Sequence, residues 1–367
     1  MSKQQKGTVT EEQVRKALAG IIDPDLGRDI VSLGFVKEIT IDGAKVAVTI
    51  ELTTPACPVK DEMKADAERL VGALGVDEVS VTMTAQVVGD RSAKKSAVLP
   101  GVGNTIAIAS GKGGVGKSTV SSNLAVALAR AGRRVGLLDA DIYGPSQPRM
   151  LGITGTPESK DGTTLEPMEN HNLKAMSIGF LVEEDTPMIW RGPMVTQALE
   201  QLLKDTNWGE LDYLVVDLPP GTGDTQLTLS QKIPVSGAVI VTTPQDIALL
   251  DARKGLAMFE KVEVPVLGVV ENMSIHICSQ CGNAEHIFGQ GGGEKMSKEY
   301  DVDFLGSLPL DINIREQADN GNPTVVADPD GQVSDMYRDI SRKMSARLAE
   351  KSKDYSSKFP NIVIQNT

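Results

Sequence analysis

The residues with the clearest chemical meaning form the stretch SGKGGVGKST, Ser110–Thr119. It lies between an apolar run, TIAIA, and a helical pattern, and it fits G-x-x-x-x-G-K-[ST] with Gly111, Gly116, Lys117 and Ser118 in the fixed places. Glycines in such a turn let backbone N–H groups point at phosphate oxygens, and the helix N-terminus adds a partial positive charge. Lys117 is expected to bind the terminal phosphates and Ser118 a Mg²⁺ ion. The other loop residues that we expect to line a nucleotide are Lys112, Gly113, Gly114, Val115 and Thr119.

Three aspartates follow apolar runs that have the composition of buried strands. Asp217 ends the run LDYLVVD, and Asp139 and Asp141 lie in LLDADIYGPS. Ligands of open α/β sheets bind at the carboxyl ends of strands, so we expect all three carboxylates to meet the phosphates. Asp217 is placed where a carboxylate would lie on the Mg²⁺ side of the site. Such a carboxylate favours hydrolysis of the nucleotide over nucleotide binding alone. For Asp139 the alternative is a helix cap.

The motif C-x-x-C occurs once, at Cys278 and Cys281 in IHICSQCGNAEH, and four interpretations compete. Iron–sulfur clusters are commonly held by four thiolates, so two chains could share one cluster. His276 and His286 could instead complete a zinc site within one chain, although the spacing of His276 is not that of zinc fingers. A thioredoxin-like dithiol would have to open a helix, and the fourth interpretation is two structural cysteines. We favour the shared cluster and expect the histidines to be ordinary surface or packing residues; His171 is assigned no role.

The elements that would position these residues fall into two regions. Residues 1–90 have the pattern of a small α+β unit, with a capping box at Thr10 and a hairpin turn at Asp42-Gly43. Cys57 precedes its second helical pattern and is either a reactive thiol or a small buried residue. The polar, basic residues 91–101 are typical of a linker.

Residues 102–350 alternate apolar strand candidates with helical patterns, which predicts an α/β fold with a mainly parallel sheet covered on both faces. The polar residues 351–367 are expected to form a flexible tail.

Composition narrows the class of protein. The chain has 367 residues, a formal net charge of −12 and three cysteines. The acidic balance argues against nucleic-acid binding, and so few cysteines are typical of a reducing compartment. We find neither a secretory leader nor an apolar run long enough to span a bilayer, and we expect a cytoplasmic protein without membrane contact.

The extra lysine in GKGGVGKST, Lys112, resembles the deviant Walker A motif of the P-loop NTPases that include MinD, ParA, the nitrogenase iron protein and the Mrp/ApbC iron–sulfur carriers. The resemblance implies that Lys112 reaches the nucleotide of a partner subunit in a homodimer, that Asp141 orients or activates the attacking water, and that Asp217 is the Mg²⁺-side carboxylate of switch II. It also implies that Asn272, in VVENMS, contacts the adenine.

Within that family the chain is most similar to the Mrp/ApbC carriers, through DADIYGPSQPRMLG, TTPQDIALLDARKGLAMF and ENMS followed by C-x-x-C. The first region resembles the small domain of iron–sulfur assembly factors, through DPDLGRDIVSLGFV and LTTPACPVKDEM. These resemblances imply an ATPase with ATP, Mg²⁺ and a 4Fe–4S cluster held between two Cys278/Cys281 pairs. They imply apo iron–sulfur proteins and upstream cluster scaffolds as partners, and cluster transfer by Cys57.

The sequence leaves three further functions open. A positioning ATPase of the MinD or ParA kind would need a strongly apolar terminal helix to bind membrane. The segment YRDISRKMSARLAEK has only a thin apolar face, at Ile340, Met344 and Leu348, and a helix packed on its own domain explains it better. The second is a nitrogenase-like reductase, whose bridging cysteines lie further apart, and the third is a zinc-binding regulatory ATPase.

Overall fold

The computed structural model describes residues 9–24, 26–52, 59–85, 98–182 and 192–357. They form two compact units. One contains the described residues up to Ala85 together with Ser345–Ala349, and the other contains the rest of the described residues from Val98 onward.

The first unit is a three-stranded sheet with two helices. Its elements are α1 (Glu11–Leu18), β1 (Ile22–Asp23), β2 (Arg28–Asp29), β3 (Val36–Asp42), β4 (Lys45–Leu52), α2 (Lys60–Gly72) and β5 (Glu78–Ala85). The capping box is present, since Thr10 Oγ1 accepts from the N–H of Gln13 while the Thr10 N–H donates to the Gln13 side chain. The predicted hairpin is confirmed: β3 pairs antiparallel with β4, and Asp42 pairs with Lys45 across the turn. Strand β4 then pairs parallel with β5.

The second unit is built on an eight-stranded sheet. Its strands are β6 (Thr105–Ala109), β7 (Val135–Asp139), β8 (Met168–Asn170), β9 (Leu173–Ser177), β10 (Tyr213–Asp217), β11 (Gly237–Thr242), β12 (Val266–Glu271) and β15 (Phe304–Ser307), in the order β15-β12-β11-β6-β10-β7-β9-β8. All neighbours are parallel except β8 and β9. Every residue of β6, β7, β10 and β11 is buried, as expected for strands covered on both faces. A separate hairpin joins β13 (His276–Ile277) to β14 (Ala284–Glu285).

The helices of the second unit connect and cover these strands. They are α3 (Lys117–Arg130), α4 (Gln147–Met150), α5 (Gly192–Asp205), α6 (Asp224–Lys232), α7 (Asp246–Lys261), α8 (Gly292–Glu299), α9 (Ile312–Asp319), α10 (Thr324–Ala327) and α11 (Gln332–Ser357). The strand order places β6 between β10 and β11, and β10 next to β7. The phosphate-loop strand and the two aspartate strands are therefore neighbours, with their carboxyl ends at one edge.

The last helix differs from the sequence prediction at its end. Helix α11 continues to Ser357, seven residues into the segment 351–367 for which no helix was expected, and the flexibility of that segment stays a prediction. The apolar stripe on this helix is buried, with Ile340, Met344 and Leu348 at 1%, 0% and 3% exposure. Ile340 packs against Gly306 of β15. A Cβ on Gly306 would lie 2.9 Å from Cγ1 of Ile340. No helix within the described ranges is both long and apolar enough to cross a bilayer.

Candidate functional site

The glycine-rich loop connects β6 to α3 at the carboxyl edge of the sheet. Gly114 and Gly116 have φ angles of 81° and 80°, a region that side chains other than glycine rarely adopt. At Gly111 there is no room for a side chain, because a Cβ there would lie 2.2 Å from the carbonyl carbon of Asp251 in α7. Backbone conformation thus explains Gly114 and Gly116, and close packing explains Gly111.

The loop lysine forms a buried ion pair with the aspartate at the end of β10. Lys117 Nζ lies 2.5 Å from Asp217 Oδ1, and the two side chains are 5% and 0% exposed. Lys117 Nζ also lies 3.1 Å from Ser118 Oγ. A cation, a hydroxyl and a carboxylate therefore meet at the start of α3.

Two further side chains that sequence reasoning did not identify donate to the Asp217 carboxylate. Ser121 Oγ donates to Oδ1 over 2.8 Å, and Gln147 Nε2 donates to Oδ2 over 2.9 Å. Ser121 lies four residues after Lys117 and so shares its helix face, a spacing that could have pointed to it. Nothing local marks Gln147, which lies 70 residues from Asp217 in the chain.

The Asp139 carboxylate is surrounded by hydrogen-bond donors of the protein itself. It is fully buried, and its carboxylate accepts from the backbone N–H groups of Asp141, Ser146 and Gln147 and from the Ser177 hydroxyl, over 3.0–3.2 Å. Since Ser146 and Gln147 begin α4, Asp139 caps this helix. All of these donors come from the loop after β7, the start of α4 and the end of β9, as in the helix-cap alternative, and the expected nucleotide contact of Asp139 stays a prediction.

The surroundings of Asp139 also shift its ionisation. Burial raises its pKa to about 7, and the negative charge of Asp217 adds to the shift, whereas the N–H groups of Gln147 and Asp141 oppose it.

Asp141 is half-buried two residues beyond the end of β7. Burial raises its pKa, and the positive charge of Lys117 opposes that shift. The Asp141 carboxylate is thus within electrostatic reach of the phosphate-site lysine, where an attacking water could be oriented.

The two remaining nucleotide-site candidates lie against the loop itself. Lys112 is half-buried, and its carbonyl accepts from Ser110 Oγ over 2.9 Å. Asn272 follows β12, is 7% exposed, and donates from Nδ2 to the carbonyl of Val115 over 2.9 Å. Asn272 therefore fastens the end of β12 to the phosphate loop, while its predicted adenine contact stays a prediction.

The cysteine pair lies on the turn between β13 and β14. The N–H of Cys278 donates to the Asn283 carbonyl, and the N–H of Gly282 donates to the Cys278 carbonyl, over 2.9 and 2.8 Å. Both cysteines are free; Cys278 is half-buried and Cys281 exposed. The motif does not open a helix, so the thioredoxin-like interpretation is not supported.

The environment of Cys278 favours its thiolate form. The backbone N–H groups of Gln280 and Cys281 and the Cys281 thiol donate to its sulfur and lower its pKa. The Cys281 side chain is therefore near enough to the Cys278 thiol to contribute to this shift.

The neighbouring histidines are engaged with the backbone. Nδ1 of His276 lies 3.0 Å from the Leu310 carbonyl, and Nδ1 of His286 lies 2.8 Å from the Ser274 carbonyl. Across the described parts of the chain, no three histidine, cysteine, aspartate or glutamate side chains are placed to hold one metal ion. A zinc site made with both histidines in one chain is therefore not supported.

Comparison with known proteins identifies the family. The profile described as the NUBPL iron-transfer P-loop NTPase matches residues 101–345, and the profile of the iron-sulfur cluster assembly protein matches residues 11–83. The chain belongs to the NUBPL iron-transfer P-loop NTPase family. The family membership and the fold class expected from the sequence are thereby confirmed.

Individual relatives of this NTPase agree with the family. The iron-sulfur cluster carrier protein of Haemophilus influenzae is 50% identical over 340 residues, covering 92% of either chain. That of Pseudomonas fragi is 58% identical over 269 residues, which are 73% of this chain and 94% of the relative. A nucleotide-binding protein from Archaeoglobus fulgidus, solved in complex with ADP, superposes with a TM-score of 0.56 at 38% identity, over 66% of this chain and 95% of that one.

One predicted site residue of this NTPase cannot be placed. Cys57 lies outside the described residues, so its role as a transfer thiol stays a prediction.

Proposed function

We propose that this chain is an ATP-hydrolysing iron–sulfur cluster carrier that holds a 4Fe–4S cluster between two copies of itself and delivers it to apo-proteins. The observation that carries the proposal is the position of the C-x-x-C turn. Cys278 follows Asn272 by six residues, and Asn272 is hydrogen-bonded to the phosphate loop. A pair of thiols with no further ligand among the described residues of its own chain thus follows, six residues along the chain, a residue that is bonded to the phosphate loop.

The phosphate chemistry follows from the loop and the carboxylates. Loop N–H groups and Lys117 bind the phosphates of ATP, Asp141 orients a water molecule, and the water oxygen bonds to the γ-phosphorus as the bond to the β,γ-bridging oxygen breaks. The products are ADP and inorganic phosphate. Because Lys117 is paired with Asp217, it has to leave that carboxylate to reach the phosphates.

Mg²⁺ fits the residues present. The Ser118 hydroxyl and the Asp217 carboxylate lie 3.1 and 2.5 Å from Lys117 Nζ, and hard oxygen donors of this kind suit Mg²⁺. Ser118 would hold the ion and Asp217 would stand on its side of the site. When bound, Mg²⁺ neutralises charge on the β- and γ-phosphates.

The cluster is cargo, and one chain supplies only half of its ligands. Two thiolates from each of two chains make the usual set of four. In a two-fold dimer each patch faces its own copy, so a turn near the axis brings Cys278 and Cys281 opposite the same residues of a partner subunit. Lys112 agrees with such a dimer, because in this family type the first loop lysine serves the partner's nucleotide.

The hydrogen bonds around Asn272 give a physical route for coupling. Asn272 is bonded to Val115, and Ser274, two residues later, accepts from His286 beside the cysteine turn. A change in the phosphate loop on ATP binding is therefore passed to the turn through six residues of chain. We propose that ATP binding or hydrolysis alters the lability of the cluster by this route.

The remaining assignments belong to the same proposal. Residues 1–90 form an assembly-factor domain, 91–101 a linker, 102–350 the ATPase domain and 351–367 a tail. Partners are apo iron–sulfur proteins and upstream scaffolds, with Cys57 as a candidate transfer thiol. We place the protein in the cytoplasm, away from membrane and nucleic acid.

The test is anaerobic reconstitution with iron and sulfide, followed by visible absorption, iron and sulfide content, and mass. We expect a brown dimer with about four irons and four sulfides. The Cys278→Ser/Cys281→Ser variant should lose the cluster and still bind ATP. A colourless monomer with one zinc would contradict the proposal, and so would binding to liposomes or DNA in co-sedimentation with ATP.

A second experiment tests the coupling between ATP and cluster transfer. Cluster transfer to an apo-protein is measured with and without ATP for the wild type and for Lys117→Ala. We expect ATP to change the rate only in the wild type. Equal transfer rates in all four conditions would contradict the proposed coupling and would leave the carrier function itself intact.

A further inference from the structure

Gln147 joins the three segments that form the phosphate site. It is 1% exposed at the start of α4. Its Nε2 donates to Asp217 Oδ2 over 2.9 Å and to the Ser118 carbonyl over 3.1 Å, and its backbone N–H donates to Asp139 over 3.1 Å. One residue thus ties the aspartate loop to the start of α3 and to the end of β10.

The same side chain has an unused acceptor. Gln147 Oε1 is buried and has no hydrogen-bond partner among the described residues. A buried polar atom without a partner calls for an explanation, such as an ion or water that the protein binds. Because Nε2 is already fixed by Asp217 and Ser118, the amide oxygen is held beside these two groups.

The ligand that fits this acceptor is a water molecule of hydrated Mg²⁺. Mg²⁺ in nucleotide sites keeps several of its waters, and each water donates hydrogen bonds. Gln147 Nε2 meanwhile donates to the Asp217 carboxylate and to the Ser118 carbonyl, and these two residues would flank the ion. Asp217 needs this support more when Lys117 moves to the phosphates, since among the described residues Ser121 is then the one remaining donor to Oδ1.

We infer that Gln147 is a positioning residue for Mg·ATP: its Nε2 orients Asp217 and Ser118, and its Oε1 accepts from a Mg²⁺-bound water. The inference rests on the ATP-hydrolysing part of the proposed function and is independent of cluster binding. Only a side chain with two donor hydrogens and an acceptor at this length meets all three contacts, so methionine, which has a similar length, removes them without leaving a large void.

The experiment compares Gln147→Met with the wild type and with Gln201→Met, a matched change at an exposed site in α5. ADP affinity is measured by calorimetry in EDTA and at increasing Mg²⁺, and ATPase activity is measured over the same Mg²⁺ range. We expect Gln147→Met to bind ADP like the wild type in EDTA. The Mg²⁺ concentration for half-maximal effect should rise about 10–100-fold in both measurements, as for other residues behind a metal ligand.

A second variant, Gln147→Glu, keeps an acceptor and loses both donors. It should also need more Mg²⁺, because it can no longer donate to Asp217 and to the Ser118 carbonyl, and its own carboxylate repels that of Asp217. A wild-type Mg²⁺ requirement in either variant would overturn the inference, as would equal weakening of ADP binding with and without Mg²⁺. If the wild type neither binds nor hydrolyses ATP, the proposed function fails instead.

Discussion

Lys117 Nζ lies 2.5 Å from Asp217 Oδ1, and neither side chain is more than 5% exposed. This ion pair links the phosphate loop to the neighbouring strand across 100 residues of chain. The lysine that binds phosphate is thus the same group that neutralises the buried aspartate, so that nucleotide binding and the stability of the site are connected.

Removal of the lysine should therefore destabilise the protein as well as stop hydrolysis. We expect Lys117→Ala to lower the free energy of unfolding by about 3 kcal/mol, at the lower end of the range for a broken buried pair, because Ser121 and Gln147 still donate to Asp217. Urea denaturation measures the change. Lys64→Ala, which removes a lysine whose side chain is 45% exposed, is the control and should change stability by less than about 0.5 kcal/mol. A Lys117→Ala protein as stable as the wild type would contradict the role of the pair.

Asp139 should give the protein a distinctive dependence on pH. Its pKa is raised to about 7 from an ordinary value of 3.8, so between these values the folded state holds a proton that the unfolded state has lost. Stability due to this group is therefore present at low pH, falls as the pH rises towards about 7, and changes little above it. We expect the difference in unfolding free energy between the wild type and Asp139→Asn to shrink or reverse from pH 5 to pH 7.5. A pH-independent difference would show that Asp139 is ionised throughout.

Cys278 should be the more reactive of the two cysteines, although it is the less exposed. The N–H groups of Gln280 and Cys281 lower its pKa, so more thiolate is present at neutral pH. With a limiting amount of iodoacetamide at pH 7, fragment mass spectra should place the first label on Cys278. Labelling of Cys281 first would mean that exposure, not ionisation, decides reactivity.

The variant Cys281→Ala, which removes the side-chain donor, separates the two contributions to the Cys278 thiolate. The backbone donors remain in this variant, so Cys278 should stay reactive at neutral pH.

In the wild-type protein, a cluster bound by both cysteines should block labelling of Cys278 and of Cys281.

Lys112 and Asp141 should complement each other between subunits. In the proposed dimer each nucleotide is served by Asp141 of its own chain and by Lys112 of the partner subunit. Lys112→Ala and Asp141→Ala should each be inactive alone. After mixing and exchange of subunits, one site in each mixed dimer is complete, which restores about a quarter of wild-type activity.

Complementation has a matched control. A chain that carries both substitutions should restore nothing when it is mixed with either single variant. Absence of rescue in a preparation that exchanges subunits would place Lys112 in its own chain's site.

The sequence by itself determined the phosphate loop, the family and the fold class. The loop motif is local, since its glycines are needed at fixed positions for left-handed backbone at Gly114 and Gly116 and for the close approach of Gly111 to α7. Continuous apolar runs identified β6, β7, β10 and β11 because these strands are buried along their whole length.

Only the tertiary structure decided which donors each carboxylate has. Asp139 and Asp141 look alike in the sequence, yet the first is enclosed by N–H groups of its own loop and the second is half-buried near Lys117. Gln147 was not identified because its partners, Ser118 and Asp217, are 29 and 70 residues away. Hydrogen bonds between distant segments depend on how strands are ordered in the sheet, and local composition carries no record of that order.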